Sequence, residues 1–308
     1  MSTTASFSVP SVSAPAASRP GWLPASLFPF ESRFLSLDGH RVHYVDEGSG
    51  PVLLMLHGNP TWSFSYRHLL SLLRDRFRCI ALDYPGFGLS EAASDFDFLP
   101  EHQAEVVARF VDALGLSRYS LVAQDWGGPI GLSVAARHPE RIDALVLGNT
   151  WAWPVDHEPH FTRFSEMMGG RLGGVAIRTL NAFVNVMIPM GTRLRRLSRD
   201  EMRCYRAPMG TAARREATHV FPRAIVGSTP WLRTVDASLA SLADKPLLLC
   251  WATDDIAFRE EERRGFEARF PCNRTVVLKG AGHFVQEDAP EAIADAVRSF
   301  FAETVAAR

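Results

Sequence analysis

Residues 120–129 read Ser120-Leu121-Val122-Ala123-Gln124-Asp125-Trp126-Gly127-Gly128-Pro129. The run 120–123 has the short apolar character of a buried strand, and 127–136 is a small-residue helix ending before His138-Pro139. Asp125 therefore sits at the apex of a strand–turn–helix. So sharp a turn requires small neighbours, and Ala123 and Gly127, two residues to either side, supply them. The pattern small-x-nucleophile-x-Gly is that of a nucleophile elbow, with aspartate where serine is commoner.

Outward from this point the chain keeps one rhythm. Residues 33–37 and 41–45 flank Asp38-Gly39, a short hairpin signal. The apolar runs 52–56, 79–82 and 144–147 are short enough for strands buried on both faces. Between them lie helical faces, Tyr66/Leu69/Leu70/Leu73 and Val106/Val107/Phe110/Val111/Leu114. The alternation stops at Trp151 and resumes with strands at 247–251 and 275–278, a helix over 260–270 and a last helix from Pro290. This predicts an α/β protein with a mainly parallel central sheet flanked by helices. Residues 31–150 and 230–308 form its core, 151–229 a helical cap over the sheet's C-terminal edge, and 1–30 a mobile tail rich in Ser, Ala and Pro at its start. In open α/β sheets that edge is where ligands bind.

Composition narrows the partners. Of 308 residues 46% are apolar and 22% charged, with a net charge of −1. No basic run or acidic tail points to nucleic acid or a membrane surface. The four cysteines are far apart and show no metal-ligand spacing, and the hydrolytic chemistry read below is expected to need neither metal nor organic cofactor. Cys79 and Cys250 lie in apolar runs, and a reducing, cytoplasmic setting is expected. Nothing in the sequence speaks to oligomeric state.

An elbow nucleophile calls for an acid and then a histidine later in the chain. His283 lies in the loop Gly280-Ala281-Gly282-His283-Phe284 after the last strand, and Asp254-Asp255 follows the strand before it. The residues alone leave open which of the two aspartates serves. A carboxylate attacks saturated carbon competently and yields an ester on Asp125, which water activated by His283 can cleave. A serine there would yield an ether. Alkyl halides and epoxides are thus the main candidates. Backbone N–H groups of Trp126 and Asn59 are placed to receive the oxyanion of the hydrolytic step. An epoxide needs a proton donor from the cap, yet of the five tyrosines only Tyr205 lies there. A halide needs only donors, and Trp126 offers an indole N–H and Asn59 an amide NH₂.

Four stretches carry a family resemblance: His57-Gly58-Asn59-Pro60-Thr61-Trp62-Ser63, Asp83-Tyr84-Pro85-Gly86-Phe87-Gly88-Leu89-Ser90, Val122-Ala123-Gln124-Asp125-Trp126-Gly127-Gly128-Pro129, and Ala281-Gly282-His283-Phe284-Val285-Gln286-Glu287-Asp288. With them the chain resembles the haloalkane dehalogenases of the α/β-hydrolase superfamily across residues 30–303. The resemblance implies Asp125 as nucleophile, His283 as base, and Asn59 with Trp126 as halide-holding pair. It further implies a small halogenated alkane, a halide ion and water as ligands. Some members place an acid where this chain has Asn149; the register Trp251-Ala252-Thr253-Asp254-Asp255 then points to Asp255, with Ala252 in place of the usual glycine. Asn59 with a late Asp is similar to the third dehalogenase subfamily. An epoxide hydrolase and a non-catalytic binding protein of the same fold are the alternatives.

Overall fold

The computed structural model describes residues 19–306. Eight strands form one sheet: β1 (Arg33–Leu37), β2 (His40–Glu47), β3 (Val52–Leu56), β4 (Arg78–Leu82), β5 (Tyr119–Gln124), β6 (Ile142–Gly148), β7 (Leu247–Ala252) and β8 (Asn273–Leu278). Their spatial order is β1-β2-β4-β3-β5-β6-β7-β8. The β1–β2 hairpin pairs antiparallel onto β4, and β4 through β8 run parallel. Asp38 and Gly39 both adopt positive φ, +48° and +84°, as a two-residue hairpin matching strand twist requires.

The helices are α1 (Arg67–Leu73), α2 (Pro100–Ala113), α3 (Gly127–Ala135), α4 (Pro159–Gly169), α5 (Arg171–Leu180), α6 (Ile188–Gly191), α7 (Arg199–Arg206), α8 (Glu216–Gly227), α9 (Thr229–Ser238), α10 (Glu260–Arg269), α11 (Val285–Asp288) and α12 (Pro290–Ala306). α2 starts with proline, whose missing N–H costs nothing at a helix's first turn, and buries Val106, Val107, Phe110 and Val111. The helices α4 to α9 lie between β6 and β7 in sequence. A single π-helical turn, Phe183–Met187, leads into α6.

The N-terminal expectation needs correction. Residues 1–18 lie outside the described residues, but 19–30 are not a free tail: Leu23, Phe28 and Phe30 are buried, and Trp22 meets Trp62 edge-on at 6.0 Å. The segment from Trp22 to Phe30 is apolar, unlike the Ser/Ala/Pro-rich stretch before it. Burying such side chains is worth about 1.5–3 kcal/mol each and works against the entropy cost of ordering the backbone.

Candidate active site

The site is built where parallel strands end. Asn59 follows β3, Asp125 follows β5, Asn149 follows β6, Asp255 follows β7 and His283 follows β8. One topology thus brings residues from five loops to the same rim.

Asp125 occupies the left-handed region, φ +53°, unusual for a residue with a side chain and costing about 1–2 kcal/mol. The turn around it is tight. A Cβ at Gly127 would lie 2.1 Å from the Leu56 carbonyl oxygen, and one at Gly58 would lie 2.3 Å from Asp125 Cβ. Only glycine lets β3, its loop and the elbow approach this closely. The Asp125 amide donates to the Asn149 carbonyl (3.0 Å), and Thr150 Oγ1 donates to the Asp125 carbonyl (2.5 Å).

The Asn59 amide donates to Asp125 Oδ1 at 2.8 Å, while Asp125 Oδ2 faces His283 Nε2 at 3.7 Å, beyond direct hydrogen-bond reach. On the other side of the ring, His283 Nδ1 lies 3.0 Å from Asp255 Oδ2. Asp255 is buried and otherwise occupied: Asn149 Nδ2 donates to Oδ2 (2.9 Å) and the Ala257 amide to Oδ1 (2.8 Å). Asp254 turns outward, accepting from Thr253 Oγ1. The geometry therefore selects Asp255 between the two neighbours. The Ala252 amide donates to Asn149 Oδ1 (2.8 Å), so alanine at that position leaves the loop tied to the site.

The charges respond to this layout. Burial raises the Asp125 carboxyl above its ordinary range, against the opposing pull of His283 and the Trp126 and Asn59 amides. Burial alone would lower His283, but the carboxylates of Asp255 and Asp125 outweigh it and hold the imidazole at about 9.

Above Asp125 lies a cavity of about 170 Å³ lined mainly by apolar side chains. Trp126 is buried, held edge-on by Trp151 (4.6 Å) and Phe221 (5.3 Å); among the described residues its indole N–H has no acceptor. Asn59 Nδ2 gives one hydrogen to the Thr218 carbonyl (3.3 Å). Phe161, Phe164 and Phe183 from the helical insertion line the cavity, as does the π-helical turn through Met187. Trp153 does not. It packs on Phe266, under the Arg269 guanidinium at 4.4 Å, away from the cavity. Tyr205 donates to Glu287 and is likewise absent from the lining.

Two participants were not legible as such. Asn149 was read only as an empty acid position, yet its amide orients Asp255 with one end and fixes β7's end with the other. Asp288 accepts from the Gly282 amide (2.7 Å) and from Arg193 and Leu194 amides, joining the His283 loop to the insertion. An acid five residues after the loop histidine was the available signal, but its partners are remote in sequence.

An aspartate on a tight strand–turn–helix elbow, with a histidine and a second aspartate behind it, is an arrangement chemically able to form an ester on its own carboxylate. Residues 51–290 match the alpha/beta hydrolase fold family. The chain is 46% identical over 273 residues to haloalkane dehalogenase 2 of Mycobacterium tuberculosis, covering 88% of this chain and 95% of that one. It is 34% identical over 288 residues to a cis-3-alkyl-4-alkyloxetan-2-one decarboxylase of Shewanella oneidensis, covering 91% of each. Its fold superposes on the crystal structure of haloalkane dehalogenase DbeA from Bradyrhizobium elkani with a TM-score of 0.81 at 30% identity, covering 91% of this chain and 100% of that one. The chain belongs to the α/β-hydrolase family, within its haloalkane dehalogenase branch.

Proposed function

We propose that this protein hydrolyses haloalkanes to alcohol and halide, with Asp125, His283 and Asp255 as its triad and residues 151–229 as the cap closing the site. The observation that carries the reading is an indole N–H without a protein acceptor among the described residues, on a buried tryptophan lining the cavity next to a strained, elbow-mounted carboxylate. Asp125 Oδ2, free of amide donors, attacks the carbon bearing halogen; the carbon–halogen bond breaks and the halide leaves toward Trp126 Nε1 and the remaining Asn59 Nδ2 hydrogen. Alkylation neutralises Asp125 and removes one of the two charges holding the proton on His283. The imidazole then loses that proton, and as a base takes one from water attacking the ester carbonyl. Oδ1 becomes the oxyanion, already accepting from the Asn59 amide, with the Trp126 amide also directed at this carboxylate. Collapse releases the alcohol and restores the carboxylate. Asp255 keeps Nδ1 protonated and stabilises the imidazolium. Tyr205, committed to Glu287, is no proton donor for epoxide opening.

A second reading is favoured by the decarboxylase relative. In a β-lactone the same attack at the ring carbon expels a carboxylate, which loses CO₂ and ejects Asp125 as the alkene forms. That sequence needs no water and no base. The deciding experiment is incubation of His283→Phe protein with 1-bromobutane, followed by intact mass measurement. A stable butyl adduct on Asp125, with halide released by wild type, is expected. Absence of adduct, with wild type evolving CO₂ from a cis-β-lactone and releasing no halide, would overturn the dehalogenase reading. Three of the cysteines are buried, Cys272 is exposed and all four are free; they support a reducing, cytoplasmic location.

A further inference from the structure

The whole-chain charge of −1 conceals a strong segregation. Residues 151–229 hold twelve arginines against six acids, a net +6, which leaves −7 for the rest of the chain. The same segment carries seven of the nine exposed large apolar side chains among the described residues, all between 167 and 194. Leu172 is 87% exposed and Leu180 69%. Leu172 and Val175 stand one turn apart on α5, and Val186 and Met190 one turn apart beyond the bend. Exposed apolar clusters on this scale mark an interaction surface rather than ordinary solvent-facing residues.

The shape of the segment indicates what it meets. α5 and the stretch Phe183–Gly191 join at an 85° elbow, and no single described helix is long and apolar enough to cross a bilayer. A ten-residue helix spans about 15 Å against a hydrocarbon core of about 30 Å, so each arm can only lie in the interface. Arg171, Arg193, Arg196 and Arg203 flank the elbow, exposed and without an ion-pair partner among the described residues. A second copy of the chain suits this face poorly, because a two-fold contact sets the same arginines against themselves. The cavity also opens here: Met190 and Ile256 line it, yet are 50% and 53% exposed.

We infer that the elbow of α5 and α6 docks the protein on an anionic lipid surface, its cavity mouth facing the acyl boundary so that apolar substrate enters from the bilayer. Apolar side chains inserted at the headgroup level and a basic rim are the two elements interfacial binding requires. The docking rests on the surface and not on the chemistry of Asp125, so its test reads binding alone. The full chain is sedimented with vesicles of phosphatidylglycerol mixed with phosphatidylcholine, and with phosphatidylcholine alone. Wild type is expected to pellet with the anionic vesicles and remain largely in solution with the neutral ones. The pairs Leu172→Asp/Val175→Asp and Arg171→Glu/Arg196→Glu should each weaken binding about tenfold or more, with unchanged unfolding midpoints as the folding control. Three results would overturn the inference: no pelleting at any phosphatidylglycerol content, binding indifferent to both pairs, or a wild-type dimer that Leu172→Asp/Val175→Asp dissociates without any vesicle binding.

Discussion

Two buried clusters of charge flank the short stretch from His283 to Glu287, and they treat their carboxylates in opposite ways. In one, Glu287 receives both Nη groups of Arg67, Nη1 of Arg195 and the hydroxyl of Tyr205, filling both of its oxygens. Glu201 completes this cluster from the helical insertion, accepting from Arg67 Nη2 (2.7 Å), from Arg195 and from the Ser198 amide. Burial pushes Glu201 up, but these donors hold it at about 2. In the other cluster, Asp125 Oδ2 has no donor within hydrogen-bond distance among the described residues, its backbone is strained, and its carboxyl is raised rather than lowered. A carboxylate whose oxygens are all engaged joins elements together. One left with a free oxygen in a mainly apolar cavity is poised to react.

The contrast can be broken most sharply at its two centres. Asp125→Ala should abolish turnover, a loss of about 10⁴-fold or more in kcat, while leaving stability unchanged or higher by about 1 kcal/mol. Halide release and the urea midpoint read the two effects, and a strongly destabilised variant would mean that Asp125 also holds the fold. Glu287→Gln should do the reverse in stability: it leaves Arg67 and Arg195 facing an uncharged amide in the interior and should cost about 3–5 kcal/mol. A midpoint within error of wild type would show the cluster to be ornamental to stability.

A smaller effect separates the clusters by pH. Glu201 is lowered from 4.5 to about 2, so its contribution is complete above pH 4.5 and disappears as pH falls through about 2. His283 is raised from 6.5 to about 9, so its contribution is complete below pH 6.5 and disappears as pH rises through about 9. The unfolding midpoint of Glu201→Gln should therefore converge with wild type only on the acid side, and that of His283→Gln only on the alkaline side. Convergence at the same end for both would erase the distinction.

Much of the site was readable because it is local. The elbow around Asp125 is written in adjacent residues, since strand, small neighbours and helix are all within a dozen positions. The loop carrying His283 announces itself by its glycines. Asn59 and Trp126 could be assigned as donors because each sits beside a motif whose direction the strand fixes. Asp254 and Asp255 could not be separated from their own neighbourhood, because the distinction lies in which one Asn149 and His283 meet. The facing of Trp153 could not be read from its position in the chain: its ring turns to Phe266 and Arg269, away from the cavity. The stretch 19–30 took its reading from the Ser/Ala/Pro-rich residues before it, although its own aromatic residues pack on the core.

The sequence by itself determined the fold class, and it placed Asp125 on an elbow ahead of an acid and a loop histidine, because strand periodicity and turn sterics act between residues close along the chain. The tertiary structure places Asp255, to which the family register already pointed, 3.0 Å from His283 while Asp254 turns outward, and it alone reveals that Asn149 donates to Asp255 and that Glu287 ties Arg67 to Arg195 of the helical insertion. Those outcomes depend on which groups five separate loops bring within 3 Å of one another, and hydrogen-bond energy is set by that distance and not by spacing in sequence.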